Sequence, residues 1–322
     1  MNTEATVMVE TPGETRDYGP NAFGDDLRRF VNLTLTLANT DFKLTYFGSA
    51  LGYVWSLMQP LLLFGVLLFV FTQIFHVGAN IPNYGVMLLA AIIFWTFFLT
   101  VTSNCVTCLL AREGLLRKMR FPRLVIPIGV CVTALYTLAL NMIPVFGFAI
   151  LFGVYPRWSW LELPLLVIPL AMLSVGAGMI LACLYVRFRD ILPIWSVTSQ
   201  ILFYGSPVIY PALEYGGNVA LPAKGSSPST WSPIEALDHV QHPSGYGTIG
   251  TLGHVLMCNP LAAILTQMRK ALAGGSDKFN PSAAFAIDGT IHLLVPLFFV
   301  LAIFALGVWF FNREAPRISE NL

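Results

Sequence analysis

The chain has 322 residues, of which 56% are hydrophobic and only 11% charged, with 24 Phe, 7 Trp and a formal net charge of +1. Ordinary soluble domains carry about 25% charged residues, so a soluble globular fold is excluded, and the balanced charge gives no electrostatic footprint for nucleic acid. Five cysteines, Cys105, Cys108, Cys131, Cys183 and Cys258, fall mostly inside apolar runs, which argues against a disulfide framework. Cys105-x-x-Cys108 lacks a second pair and a nearby His, and reads as two small membrane-helix residues.

Residues 1–26 are acidic, with no apolar core and no early basic cluster, and read as a disordered cytoplasmic tail. Residues 27–46 change character. Leu27, Phe30, Val31, Leu33, Leu35, Leu37, Phe42 and Leu44 alternate with Arg28, Arg29, Asn32, Thr36, Asn39 and Lys43, the pattern of an amphipathic helix lying in the membrane interface.

Between Lys43 and Arg112 stand 68 residues without one Asp, Glu, Lys or Arg. Only a bilayer accommodates so long an apolar run. Six spans are predicted, at residues 51–75, 84–110, 124–153, 162–186, 191–211 and 289–311, each about long enough for ~30 Å of hydrocarbon at 1.5 Å per residue. The fold class expected is therefore an all-α integral membrane protein, with a six-span transmembrane domain over residues 47–311 behind the interface helix.

The twelve residues 112–123 hold Arg112, Glu113, Arg117, Lys118, Arg120 and Arg123, five of them basic. Together with Arg16, Arg28, Arg29, Lys43, Arg187, Arg189, Arg313 and Arg317 they place thirteen of eighteen basic residues on one side. By the positive-inside rule that side is cytoplasmic, as are both termini and the short tail 312–322.

The opposite side carries short turns at 76–83 and 154–161 and one long segment. Residues 212–256 are rich in Gly, Pro, Ser and Thr and read as an extracytoplasmic insertion. Glu235, Asp238, His239 and His242 in it have helical spacing that would suit a metal, but Pro243 and the flexible sequence around them speak against a built site, and none is assigned. Residues 257–286 follow with short helices. Leu261, Ile264, Leu265, Met268 and Leu272 recur at helical spacing before Arg269 and Lys270, as in an amphipathic or half-inserted helix.

Ion-coupled transport needs an ionisable group at membrane depth, and the spans contain none. Asp190 and Glu162 sit at span ends, and Asp288 with His292 at the outer mouth of the last span. No G-x-x-x-x-G-K-[ST] phosphate loop occurs, and Ala223-Lys224-Gly225-Ser226 lacks its glycines. Driven transport by this chain thus requires energy from a partner, with the basic segment as its receiving surface; no catalytic, metal or cofactor-binding residue is assigned.

Four segments in order resemble polysaccharide-exporting ATP-binding-cassette (ABC) permeases, the exporters of O-antigen, capsule, teichoic acid and galactan. They are Asp41-Phe42-Lys43-Leu44-Thr45-Tyr46 with Ser49-Ala50-Leu51-Gly52-Tyr53-Val54-Trp55 and Gln59-Pro60-Leu61-Leu62; Glu113-Gly114-Leu115-Leu116-Arg117-Lys118 with Phe121-Pro122-Arg123 and Pro127; Arg187-Phe188-Arg189-Asp190-Ile191; and Ser206-Pro207-Val208-Ile209-Tyr210-Pro211 with Asn259-Pro260-Leu261. The resemblance implies a homodimeric half-transporter in a bacterial cytoplasmic membrane, working with two copies of a separate ATPase that binds ATP and Mg. It places Arg112, Glu113, Arg117, Lys118, Arg120, Arg187 and Asp190 at the coupling surface and cytoplasmic gate. It also implies a glycan channel lined by aromatic rings, for which Trp55, Trp95, Phe97, Phe98, Tyr204 and Tyr210 are candidates; an interfacial belt or lipid-facing bulk explains each ring as well.

Two departures from the family pattern stand out. Asn39-Thr40 and Phe47 replace basic residues on either side of the Asp41 segment, and 47 residues separate Pro211 from Asn259. A drug or small-lipid exporter would share the six spans. A membrane-embedded glycosyl- or acyltransferase would need a polar catalytic constellation, for which Asp288 and His292 alone offer a start.

Overall fold

The computed structural model describes residues 27–46, 52–74, 83–114, 122–209, 257–274, 282–286 and 291–321, the last seven as backbone only. Arg117, Lys118, Arg120, Tyr210, Asp288, the acidic tail and the insertion 212–256 lie outside the described residues. The described residues form helices in the order α1 (Leu27–Tyr46), α2 (Gly52–Phe69), α3 (Tyr84–Ala111), α4 (Val125–Leu151), α5 (Glu162–Arg187), α6 (Ile191–Gly205), α7 (Pro260–Ala273), α8 (Ala283–Ala286) and α9 (Leu294–Asn321). No strand occurs among them, which is the all-α membrane architecture expected.

Helix ends follow local chemistry. The long apolar runs satisfy every backbone polar group internally, the one way to cross hydrocarbon outside a closed barrel. Asn83, at φ 59°, turns the chain into α3, and its carbonyl accepts from Met87 N–H at 3.2 Å. Gly153, at φ +80°, ends α4: Val154 N–H reaches back to Ala149 O (2.8 Å) and Gly153 N–H to Ile150 O (3.1 Å), a Schellman pair that needs glycine's left-handed backbone. Pro60, Pro144 and Pro169 stand inside α2, α4 and α5, where packed neighbours support the interrupted ladder. α2 closes in a π-helical turn, Val70–Ile74.

α3 is the centre of the bundle. Nineteen of its 28 residues are buried, and α2, α4, α5, α6 and α7 all pack on it. By contrast only Pro60 and Phe64 are buried on α2, leaving Trp55, Leu62, Val66 and Phe69 exposed. α5 is the second hub, with α9 and α7 against it. Its crossings are made close by glycine: a Cβ on Gly176 would stand 2.7 Å from Phe304 Cα of α9, and one on Gly178 would stand 2.7 Å from Cys105 Cβ of α3. Small residues at such crossings let backbones approach and gain van der Waals contact where no hydrophobic force acts between helices.

Five helical segments, Gly52–Ile74, Tyr84–Ala111, Val125–Leu151, Trp158–Arg187 and Ile291–Glu314, are long and apolar enough to cross a membrane. The fifth predicted span departs from this length. α6 has 15 residues, about 22 Å at 1.5 Å per residue, and gives way at Ser206 to a buried non-helical stretch, Ser206-Pro207-Val208-Ile209. α7, read from the sequence as an amphipathic or half-inserted helix, is buried over most of its surface. Its first turn lies by Ser206 and its last by Ser159 and Trp160 of the turn between α4 and α5. The two ends of α7 are thus tied to the end of α6 and to the turn between α4 and α5.

Candidate functional site

The first candidate region is the corner where α1 meets α3 and α4. On α1, Phe30, Thr34 and Ala38 recur every four residues and are buried. They form a narrow stripe because successive steps of four residues stay on one helix face. The opposite face exposes Arg28, Asn32, Thr36, Asn39 and Lys43. Threonines on α1 donate to carbonyls one turn back, Thr34 to Phe30 O (2.9 Å) and Thr36 to Asn32 O (2.8 Å), so their hydroxyls do not compete with the helix.

α4 is shaped to receive this stripe. Leu37 Cδ2 lies 3.2 Å from where a Cβ of Gly129 would stand, and Thr133 Oγ1 donates to Ala38 O at 3.3 Å. Phe42 meets Tyr136 edge-on at 5.7 Å, and Tyr46 Oη is 3.0 Å from Thr137 Oγ1. The partners on α4 advance with those on α1, so the two helices run the same way through two turns. A side chain at Gly52 would collide with the carbonyl of Tyr46, which fixes the approach of α2 to the end of α1.

One ion pair ties this helix to the central span. Arg112, the residue that ends α3, donates through Nη2 to Asp41 Oδ2 of α1. Both side chains are largely withdrawn from solvent, at 17% and 28% exposed, so the pair is screened less than a surface bridge. Arg112 Nη1 is buried without a hydrogen-bond partner among the described residues. Nearby, burial lowers the Arg123 guanidinium from its ordinary value, though an arginine stays cationic in any case.

Of the remaining predicted coupling residues, Arg187 and Asp190 occupy a second corner. Arg187 ends α5 and lies over the ring of Phe188, 5.6 Å from its centroid. Asp190 precedes α6, where a carboxylate favours the positive end of the helix dipole, although it makes no side-chain cap. Glu113 follows Arg112 at the end of α3, half-buried. The structure therefore brings Arg112 to Asp41, a partner the sequence left unassigned, and places Arg187 and Asp190 on the separate α5–α6 turn.

The candidate channel aromatics divide. Trp95 and Phe98 of α3 are 5% and 3% exposed, inside a ring cluster with Phe203 (5.4 Å from Trp95) and Trp195 (6.3 Å from Phe98) of α6. Trp55 and Tyr204 are 64% and 67% exposed. Among the described candidates, only the latter two are exposed.

At the other end, the fourth sequence segment folds into one cluster. Asn259 caps α7, its Oδ1 accepting from Leu261 N–H (3.1 Å) while its Nδ2 donates to Ser206 Oγ (3.1 Å). Pro260 follows at the first helical position, where its missing N–H costs nothing. Tyr84 Oη donates to Ile209 O (2.6 Å) and the buried Arg269 donates through Nη2 to Val208 O (2.6 Å). Three side chains from two helices thus hold the backbone and hydroxyl of residues 206–209.

Five long apolar helical segments packed around α3, among the described residues, define a multi-span membrane protein. The chain belongs to the ABC-2 type transporter family, whose match covers residues 32–216. It is 31% identical over 188 residues to the O-antigen export system permease protein RfbA of Myxococcus xanthus, covering 58% of this chain and 71% of that protein. It is also 31% identical over 215 residues to the protein of the same name from Klebsiella pneumoniae, covering 66% of this chain and 79% of the relative.

Proposed function

We propose that this chain is the membrane-spanning half of an ATP-driven exporter of a polysaccharide or lipid-linked glycan, of O-antigen, teichoic acid or galactan type. The observation that carries the reading is the 31% identity, over two thirds of the chain, to a permease of O-antigen export. Two copies of the chain assemble around the passage, two copies of a separate ATPase supply the energy, and both termini face the cytoplasm. ATP and Mg bind to the ATPase, and the permease contributes no catalytic residue of its own.

The packing suggests how the force would travel. The polar face of α1 with the basic segment 112–123 receives the ATPase, and displacement of α1 passes along two routes. One is the stripe Phe30, Thr34 and Ala38 into α4; the other is Asp41 into Arg112 and the central α3. From α3 the close crossings at Gly178 and Gly176 lead to α5 and α9. Exposed Trp55 and Tyr204 suit a sugar passage between protomers, because C–H faces of sugars pack on rings.

The experiment is a chromosomal deletion in the source bacterium. Loss of a surface glycan, with the lipid-linked precursor accumulating on the cytoplasmic leaflet, is the expected result. Unchanged surface glycan together with altered drug or phospholipid export would replace the proposal with the small-molecule reading.

A further inference from the structure

α2, α5 and α9 turn apolar side chains outward, as helices in contact with lipid do: Val66, Leu165 and Phe298 are 60%, 65% and 66% exposed. α3 does not. From Thr96 to Thr107 its residues that are not buried are Thr96, Leu99, Thr100, Ser103, Asn104 and Thr107, five of the six polar, with Asn104 the most open. They fall on one side of the helix because steps of three and four residues stay on one face. α2 packs on the same face at the start of α3, where a Cβ on Gly85 would stand 3.6 Å from Leu68; Ser103 lies about five full turns further on.

Two neighbouring threonines show the ordinary fate of a hydroxyl in a membrane helix. Thr96 and Thr102 donate back to Ile92 O and Phe98 O, at 2.7 and 2.8 Å. The side chains of Thr100, Ser103, Asn104 and Thr107 have no hydrogen-bond partner among the described residues. Their depth makes this costly toward lipid. Asn104 is the twenty-first of 28 residues in α3, about 10 Å from the Ala111 end at 1.5 Å per residue, and a helix about 42 Å long centred on ~30 Å of hydrocarbon keeps it inside the apolar layer. Polar groups at such depth face a polar occupant rather than acyl chains.

The chemistry of the face selects that occupant. No charge stands among the four side chains, so neither a phosphate nor a cation is matched. Hydroxyls both donate and accept, and a carboxamide does each at separate atoms, which is what an uncharged polyol needs. We propose that the α3 face from Thr100 to Thr107 is a sugar-binding wall of the export passage, where these four side chains exchange hydrogen bonds with glycan hydroxyls. This wall presupposes the glycan export proposed above, and it gives the passage a hydrogen-bonding surface on the central helix beside the exposed rings.

Photo-crosslinking during export tests it, in sealed vesicles holding the full chain, its ATPase and lipid-linked glycan radiolabelled in the sugar. With p-benzoylphenylalanine at Asn104, at least tenfold more sugar label is expected on the chain than with the same probe at the exposed Leu165 of α5. Should the probe at Asn104 prevent assembly, Thr100→Val with Thr107→Val removes two hydroxyls at nearly constant shape. That variant should raise the glycan concentration for half-maximal export several-fold at unchanged maximal ATP hydrolysis, while Thr100→Ser with Thr107→Ser stays near wild type. Equal labelling at the two positions, a crosslink from Asn104 chiefly to a second copy of the chain, or an unchanged half-maximal concentration in the valine variant would each overturn the wall while leaving glycan export standing. Absence of glycan export by the wild type in the same vesicles would overturn both.

Discussion

A methyl group added to Gly307 of α9 gives the sharpest test of the bundle, because that glycine meets Gly176 of α5 backbone to backbone. A Cβ on Gly307 would collide with the Gly176 carbonyl oxygen and stand 2.9 Å from Gly176 Cα. Carbon contacts are comfortable near 3.5–4.0 Å, so the helices must part by roughly 1 Å along a long shared seam. Overpacking of this kind costs about 1–3 kcal/mol, roughly a 5- to 150-fold shift in the folding equilibrium at 1.4 kcal/mol per factor of ten. Gly147 of α4 supplies the control, since nothing stands within 4 Å of its would-be Cβ. Alanine there should be neutral, or stabilising by the ~0.5–1 kcal/mol that glycine costs a helix. Thermal unfolding of the detergent-solubilised protein, followed by size-exclusion fluorescence, should show Gly307→Ala melting several degrees lower and Gly147→Ala unchanged or higher. Equal melting of the two variants would refute the packing assigned to α5 and α9.

Three further predictions follow from the two ends of the molecule. Asp41→Asn should leave membrane insertion intact and lower glycan export per ATP hydrolysed by the assembled transporter, and the exchange Asp41→Arg with Arg112→Asp should restore much of it; no rescue would mean the pair does not couple α1 to α3. Asn259→Ala removes both the cap of α7 and the tie to Ser206, a loss of about 1–2 kcal/mol, so increased protease cleavage after α6 is expected, and unchanged cleavage contradicts the clamp. Deleting residues 216–250 with a short flexible bridge should preserve assembly, because the Gly/Pro/Ser-rich sequence promises few buried contacts; loss of the protein from membranes would show that the insertion packs as structure.

Helix positions were legible where composition changes abruptly. The second and fourth spans, predicted at residues 84–110 and 162–186, are found at Tyr84–Ala111 and Glu162–Arg187, because charged or turn residues bound both. The fifth span was overextended because Ser206 to Ile209 are nearly as apolar as the helix before them. What stops α6 is local, since Pro207 forces Ser206 into extended backbone (φ −111°, ψ 149°) right after Gly205; the hydrogen bonds from Tyr84 and Arg269, 125 and 61 residues away along the chain, then hold the stretch inside the fold. The segment holding Arg269 and Lys270 reads as an amphipathic or half-inserted helix, and the sequence does not show that Arg269 spends a donor inside the fold on Val208 O or that most of α7 is buried.

The candidate site was half legible. Resemblance marked the segments holding Asp41 and Arg112, yet their pairing spans 71 residues and emerges only when α1 lies along α4. The receiving surface on α4 had a faint signal in Gly129, Thr133 and Thr137, small residues every four positions along one face. For the aromatics, the sequence has no means of separating Trp95 and Phe98, packed inside the bundle, from the exposed Trp55 and Tyr204, since all four sit in similar apolar runs.

The central claim is that this chain moves a glycan with energy received from a separate ATPase. Its most direct test is transport into sealed vesicles that contain the chain with its ATPase and the lipid-linked glycan, at constant ATP, with and without an uncoupler that collapses the proton gradient. The account predicts export that requires ATP hydrolysis and both subunits, is unaffected by the uncoupler, and falls when Arg117, Lys118 and Arg120 are together reversed to Glu, since like charges would then oppose each other across the contact. Export by this chain alone, driven by an ion gradient without any ATPase, would contradict it.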